Sequence, residues 1–167
     1  MCWWMCNGSL CRVLAGPPSW NPQNTPDPLI MPSPELSPEE SVGAQLDALQ
    51  KNDEPWSNHG VQTLYEFAED AGGMERSGYF GFSKDLYHFD HFLGGFLNAY
   101  PELVNLASYS VSAVEEGADG TQKVTVRVEG ADGQDVGDSF AFTLTKRKLG
   151  RKKGSWMTKS LLRETLN

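Results

Sequence analysis

"KVTVRVE", residues 123–129, decides the fold. Val124, Val126 and Val128 fall on one side, and Thr125, Arg127 and Glu129 on the other. Strict apolar–polar alternation is the period of a strand with one buried face, not of a helix. The same period runs on both sides of it. "SYSVSAV" (108–114) places Tyr109, Val111 and Ala113 together, and "SFAFTLT" (139–145) does the same for Phe140, Phe142 and Leu144. "SWMTKSLL" (155–162) supplies a fourth candidate strand around Trp156. Asp119-Gly120 and Asp132-Gly133 are turn dipeptides between the first three. Links this short imply an antiparallel meander with one buried face.

Upstream the period is helical. In "SPEESVGAQLDAL" (37–49), Ser37 is a good N-cap, Pro38 suits the first helical position and Glu40 completes a capping box. Val42, Leu46 and Leu49 form its apolar stripe, with Gln45, Asp47 and Gln50 expected on the wet side. A second helix is expected from about Gly60 to Asp70, with Val61, Leu64, Tyr65 and Ala68 as its stripe and "AGG" (71–73) as its stop. Ser83 can cap a third, with Asp85 in its first turn. Leu86, Phe89, Leu93, Phe96, Leu97 and Tyr100 line one side of that helix, and Pro101 follows its end. Three helices followed by four strands is an α+β pattern, in which the helices must cover the apolar face of the sheet. A strongly curved sheet would leave a cone-shaped hydrophobic pocket between the layers. Its expected lining is Phe89, Leu93, Tyr109, Val111, Val124, Val126, Val128, Phe140, Phe142 and Leu144.

The chain has 167 residues, enough for one domain with a tail. Residues 1–34 read as an extended or disordered tail, since 16–34 carry a proline every few positions; residues 35–167 read as the domain. The start has no acid before Asp27 and Arg12 as its one base, a pattern compatible with an organellar signal, which the resemblance given below would make a plastid one, or with an unstructured beginning. Cys2, Cys6 and Cys11 all lie in this tail, so no disulfide staples the core, and their spacing lacks a fourth zinc ligand. A net charge of −8 argues against a dedicated nucleic-acid binder, because phosphate binding needs a positive surface. No apolar run reaches the roughly 20 residues that span a bilayer.

"SPEESVGAQLDALQKND" (37–53), "HGVQTLYEFAED" (59–70), the phenylalanine-rich third helix and "GSWMTKSLL" (154–162) together resemble a family of unknown function found in plants, algae and some bacteria. Its fold is similar to the nuclear transport factor two-like (cystatin-like, SnoaL-like) superfamily. The resemblance spans roughly Ser37 to Leu166 and rests on helix patterns and a closing tryptophan, with no catalytic signature. It implies a cone of three helices on a curved four-stranded sheet, which in this superfamily often dimerises through its outer face. The superfamily holds isomerases, dehydratases and cyclases beside non-catalytic modules, so fold does not settle function.

The residues that could carry chemistry are few. "DLYHFDHFLGGF" (85–96) holds His88 and His91, three apart, with Asp90 between them. The usual zinc helix has histidines at i and i+4, and no third ligand is marked here, so the expectation is half-buried histidines at a helix edge and no metal. The inferred inner sheet face carries no charge and one phenol, Tyr109. A proton-transfer site would need Tyr65, His88, Asp90 or His91. The basic run "KRKLGRKKG" (146–154) could bind phosphate or direct nuclear import, but it sits where a hairpin must turn and reads as a solvated loop. The expected function is therefore a non-catalytic binding or interaction module with a hydrophobic pocket and no cofactor. The alternative is a small isomerase or lyase acting on an apolar substrate. The expected partners are an apolar small molecule and a second copy through the sheet, with no nucleic acid and no membrane span.

Overall fold

The computed structural model describes residues 26–69 and 86–165. Within them the protein is α+β, with three α-helices and one four-stranded antiparallel sheet. The helices are α1 (Pro38–Gln50), α2 (His59–Phe67) and α3 (Leu86–Ala99). The strands are β1 (Ser108–Glu116), β2 (Gln122–Glu129), β3 (Asp135–Lys146) and β4 (Trp156–Thr165), side by side in chain order.

The expected capping box opens α1: the Glu40 backbone N–H donates to Ser37 Oγ at 3.1 Å, and the Ser37 N–H donates to Glu40 Oε2 at 2.8 Å. Val42, Leu46 and Leu49 are fully buried. Gln45 departs from the wet side expected for it and is also fully buried. Its amide donates back to the Ser41 carbonyl at 2.9 Å, and its carbonyl accepts from Thr158 Oγ1 of β4 at 3.0 Å. Because both ends are satisfied, a glutamine can stand where periodicity asks for an apolar group.

Helix α2 is buried on every side except at Glu66, not along one stripe. It ends at Phe67, short of the Asp70 expected, because Ala68 turns extended and bridges Thr158 while the Glu69 N–H donates to the Thr158 carbonyl at 2.9 Å. A strand edge thus replaces the last helical turn. The basic hairpin between β3 and β4 caps this end. Lys152 Nζ donates to the Glu66 carbonyl and its carboxylate, both at 2.6 Å, and Arg147 donates to the Glu69 carbonyl at 2.8 Å. Lys152 thus satisfies a carbonyl of the last turn and opposes the negative end of the helix dipole, while Arg147 ties down the chain just beyond it. Two cations of the basic run are therefore structural. The "AGG" stop, the Ser83 cap, Asp85 and the three cysteines lie outside the described residues.

The sheet has the expected inner face: Val124, Val126, Val128, Phe140, Phe142 and Leu144 are all buried in one core with α1, Val61, Leu64 and Phe96. Both Asp-Gly turns close as expected, with Gly120 and Gly133 at φ of +76° and +74°, where a Cβ would be strained. The first strand departs from strict alternation. Val111 pairs with Val126 but Ala113 pairs with Thr125, so the register slips by one residue at Ser112. This bulge turns Ala113 to the outer face and brings Val114 opposite Val124. Val111, expected to line the pocket, stays 43 % exposed because β1 is an edge strand.

Contacts with the domain begin upstream of the boundary expected at residue 34. Pro28 is buried, and Pro34 packs against Gly154. Two hydrogen bonds described below tie this segment to α2.

Candidate functional site

Helix α3 carries its aromatics toward α2 and the sheet. The Tyr65 ring lies 5.4 Å from Phe89 and 5.2 Å from Phe92, centroid to centroid. Phe92 stacks on Phe96 at 6.1 Å, Phe96 meets Tyr100 at 5.6 Å, and Tyr100 meets Phe140 of β3 edge-on at 6.3 Å. Contacts of this kind favour tilted and edge-on rings. The row runs at helical spacing, i, i+3, i+7 and i+11, so it forms one stripe. Leu97, expected in that stripe, lies off it and is 38 % exposed.

Of this row only Phe96 is buried among the α3 residues; Phe89, Phe92 and Leu93 are half-buried. Tyr65 is 4 % exposed. The far end is tightly fixed. The Tyr100 hydroxyl donates to the Leu161 carbonyl at 2.6 Å, and Arg163 donates to the Ala99 carbonyl at 3.1 Å and pairs with Glu102. The result is a row of aromatic rings under α3, anchored at its C-terminal end.

The four acid–base candidates do not converge on it. Tyr65 lies within the aromatic row, whereas Asp90 and His91 are on the exposed side of α3. The side chain of His88 lies outside the described residues. Tyr109 is on the inner sheet face, but its hydroxyl is committed to α1. It donates to Asp47 Oδ1 at 2.7 Å and lies 3.4 Å from the Gly43 carbonyl. Burial, together with that hydrogen bond and the Asp47 charge, pushes its pKa up to about 12. A phenol held in this way supplies no proton near neutral pH. Among the described residues no three His, Cys, Asp or Glu side chains lie close enough to hold a metal. A chelator should leave the melting temperature unchanged; a drop, together with stoichiometric metal in the purified protein, would refute the no-metal reading.

A second polar feature was missed in the sequence: His59, the third histidine, which no motif marks. It is 4 % exposed and sits edge-on to Trp56, 4.9 Å between centroids. Its Nε2 accepts from the Leu29 N–H at 3.1 Å, so the neutral ring carries its proton on Nδ1. Nδ1 is buried and meets no acceptor at full hydrogen-bond geometry, with the Glu54 backbone carbonyl the group beside it. Beside it, Gln62 Nε2 donates to the Pro26 carbonyl at 2.9 Å, and Gln62 Oε1 accepts from Trp56 Nε1 at 2.8 Å. Buried polar groups at loop–helix corners are detectable only once the partners are known.

Burial holds the His59 pKa below its usual value, partly offset by the Glu54 backbone carbonyl. The unfolded chain therefore takes up this proton first as pH falls. The stability that neutral His59 contributes is complete above the unfolded value, about 6.5, and is lost as pH drops from there toward the folded value. The acidic residues on the adjoining segments are Asp27, Asp53 and Glu54. Melting temperatures at pH 7 and pH 5 should differ more for the wild-type chain than for His59→Gln, whose side chain does not titrate. An equal difference would place the pH sensitivity elsewhere.

The sheet also bears a depression of about 210 Å³ at Ser108–Ser110, Arg127–Glu129 and Asp135. No helix among the described residues is long and apolar enough to cross a membrane. Comparison of the chain with protein-family models, with curated proteins and with solved structures finds no match to any of the three.

Proposed function

We propose that this protein is a non-catalytic binding module of the nuclear transport factor two-like type, which takes an apolar small molecule between α3 and the inner face of the sheet. The observation that carries this reading is that half-buried Phe89 and Phe92 meet the buried Tyr65, with half-buried Leu93 packed on the same core. An aromatic surface that its own helix covers only in part favours an apolar ligand. The isomerase or lyase alternative needs a carboxylate or histidine aimed at the ligand, and the exposed positions of Asp90 and His91 weigh against it. A homodimer through the outer sheet face is the protein partner we propose; the 58 % exposure of Leu162 on β4 supports it.

Native mass spectrometry of the full chain tests for a retained apolar ligand, and titration with the fluorophore 1-anilinonaphthalene-8-sulfonate tests the surface directly. Saturable binding is expected, weakened about tenfold by Leu93→Gln through lost apolar contact. Affinity unchanged by Leu93→Gln, in a variant with wild-type circular dichroism, would overturn the assignment.

A further inference from the structure

The α1–α2 loop and the first turns of α2 hold residues 26–30 by their backbone. Four observations define the contact. The Pro26 carbonyl accepts from Gln62 Nε2, and the Leu29 N–H donates to His59 Nε2. Pro28, between them, is buried, whereas the side chains of Leu29 and Ile30 are 72 % and 44 % exposed. What α2 holds is therefore two main-chain groups flanking a buried proline, not the large apolar side chains. The receptor side is built for this. His59 and Gln62 are 4 % and 7 % exposed, and Trp56, at 8 %, orients the Gln62 amide through its indole N–H.

The segment's own chemistry suits the role. A carbonyl and an N–H three residues apart are the pair that a β-turn would join to each other. Here each is given to α2 instead. Proline at the third position of such a turn disfavours its commonest type, so Pro28 keeps both groups available. Recognition of a proline ring by aromatic side chains, with hydrogen bonds to the flanking main chain, is a mode used for proline-rich peptides.

We propose that the Trp56–His59–Gln62 corner is a peptide-binding site for a proline-bearing segment, occupied in cis by residues 26–30. Its ligand is a chain with a free carbonyl two residues before a proline and an N–H one residue after it. A tethered segment competes at an effective concentration in the millimolar range, so a partner peptide enters only when the strap is weakened.

The test uses the full chain, labelled with ¹⁵N, and reads the Trp56 Nε1–H and His59 ring nitrogens by NMR. Leu29→Pro removes the strap's donor at an exposed position and fixes φ there; Pro28→Ser removes the buried ring. Both should shift the His59 Nε2 signal. A synthetic peptide of residues 24–32, NTPDPLIMP, added to either variant should restore the wild-type signals saturably. The same peptide with serine in place of the central proline should bind about tenfold more weakly. Unshifted signals in both variants, or no saturable response to the peptide, would show that the segment is passive packing and overturn the proposal.

Discussion

Phe142→Ala is expected to leave the protein unfolded, or nearly so, at room temperature. Phe142 is fully buried at the centre of the sheet, paired with Val124 of β2 on one side and Leu161 of β4 on the other. Truncating such a residue costs about 3–5 kcal/mol, as lost transfer energy and as the cavity that remains. A domain stability of roughly 5–15 kcal/mol leaves little margin. The contrast is His91→Gln. His91 is exposed on α3, and changes at such positions cost about 1 kcal/mol or less. Urea melts of the two variants decide it. If His91→Gln proves the more damaging, the sheet's inner face is not the main source of stability.

Gly60→Ala is the second large effect, and its sign is opposite to the one that helix propensity suggests. In an isolated helix alanine is better than glycine by up to about 1 kcal/mol. Here a Cβ on Gly60 would lie 2.6 Å from the Ala48 carbonyl oxygen and 2.9 Å from Asn52 Oδ1. The first neighbour is backbone of α1 and cannot swing aside. The second is committed, accepting from the Val61 N–H at 3.1 Å, and the Gly60 N–H itself donates to the Asn52 carbonyl at 3.0 Å. Forcing a methyl into a packed contact of this kind typically costs about 1–3 kcal/mol. The clash outweighs the propensity gain, and we expect a net loss of about 2 kcal/mol by equilibrium denaturation. Unchanged or raised stability would mean that α1 and α2 separate easily at this crossing.

The sequence by itself determined the elements that local chemistry specifies. Ser37, Pro38 and Glu40 start α1 whatever packs on it, since a capping box is closed within four residues. Val124, Val126 and Val128, and Phe140, Phe142 and Leu144, declare their face because a strand has a period of two and one wet side. The Asp-Gly turns declare themselves through the backbone that they require. The tertiary structure alone decided the rest, because those features depend on groups distant in the chain. Ala113 faces outward because of a bulge that no residue in β1 announces. Gln45 is interior because Thr158, 113 residues away, satisfies it. Helix α2 stops at Phe67 because β4 offers a better partner to Glu69 than another turn would. Asp90 and His91, prominent in the sequence, face out, while unmarked His59 is buried, since its burial needs Leu29 and Trp56 brought alongside it. A side chain's chemistry is local, but whether it is used depends on which partners long-range packing delivers to it.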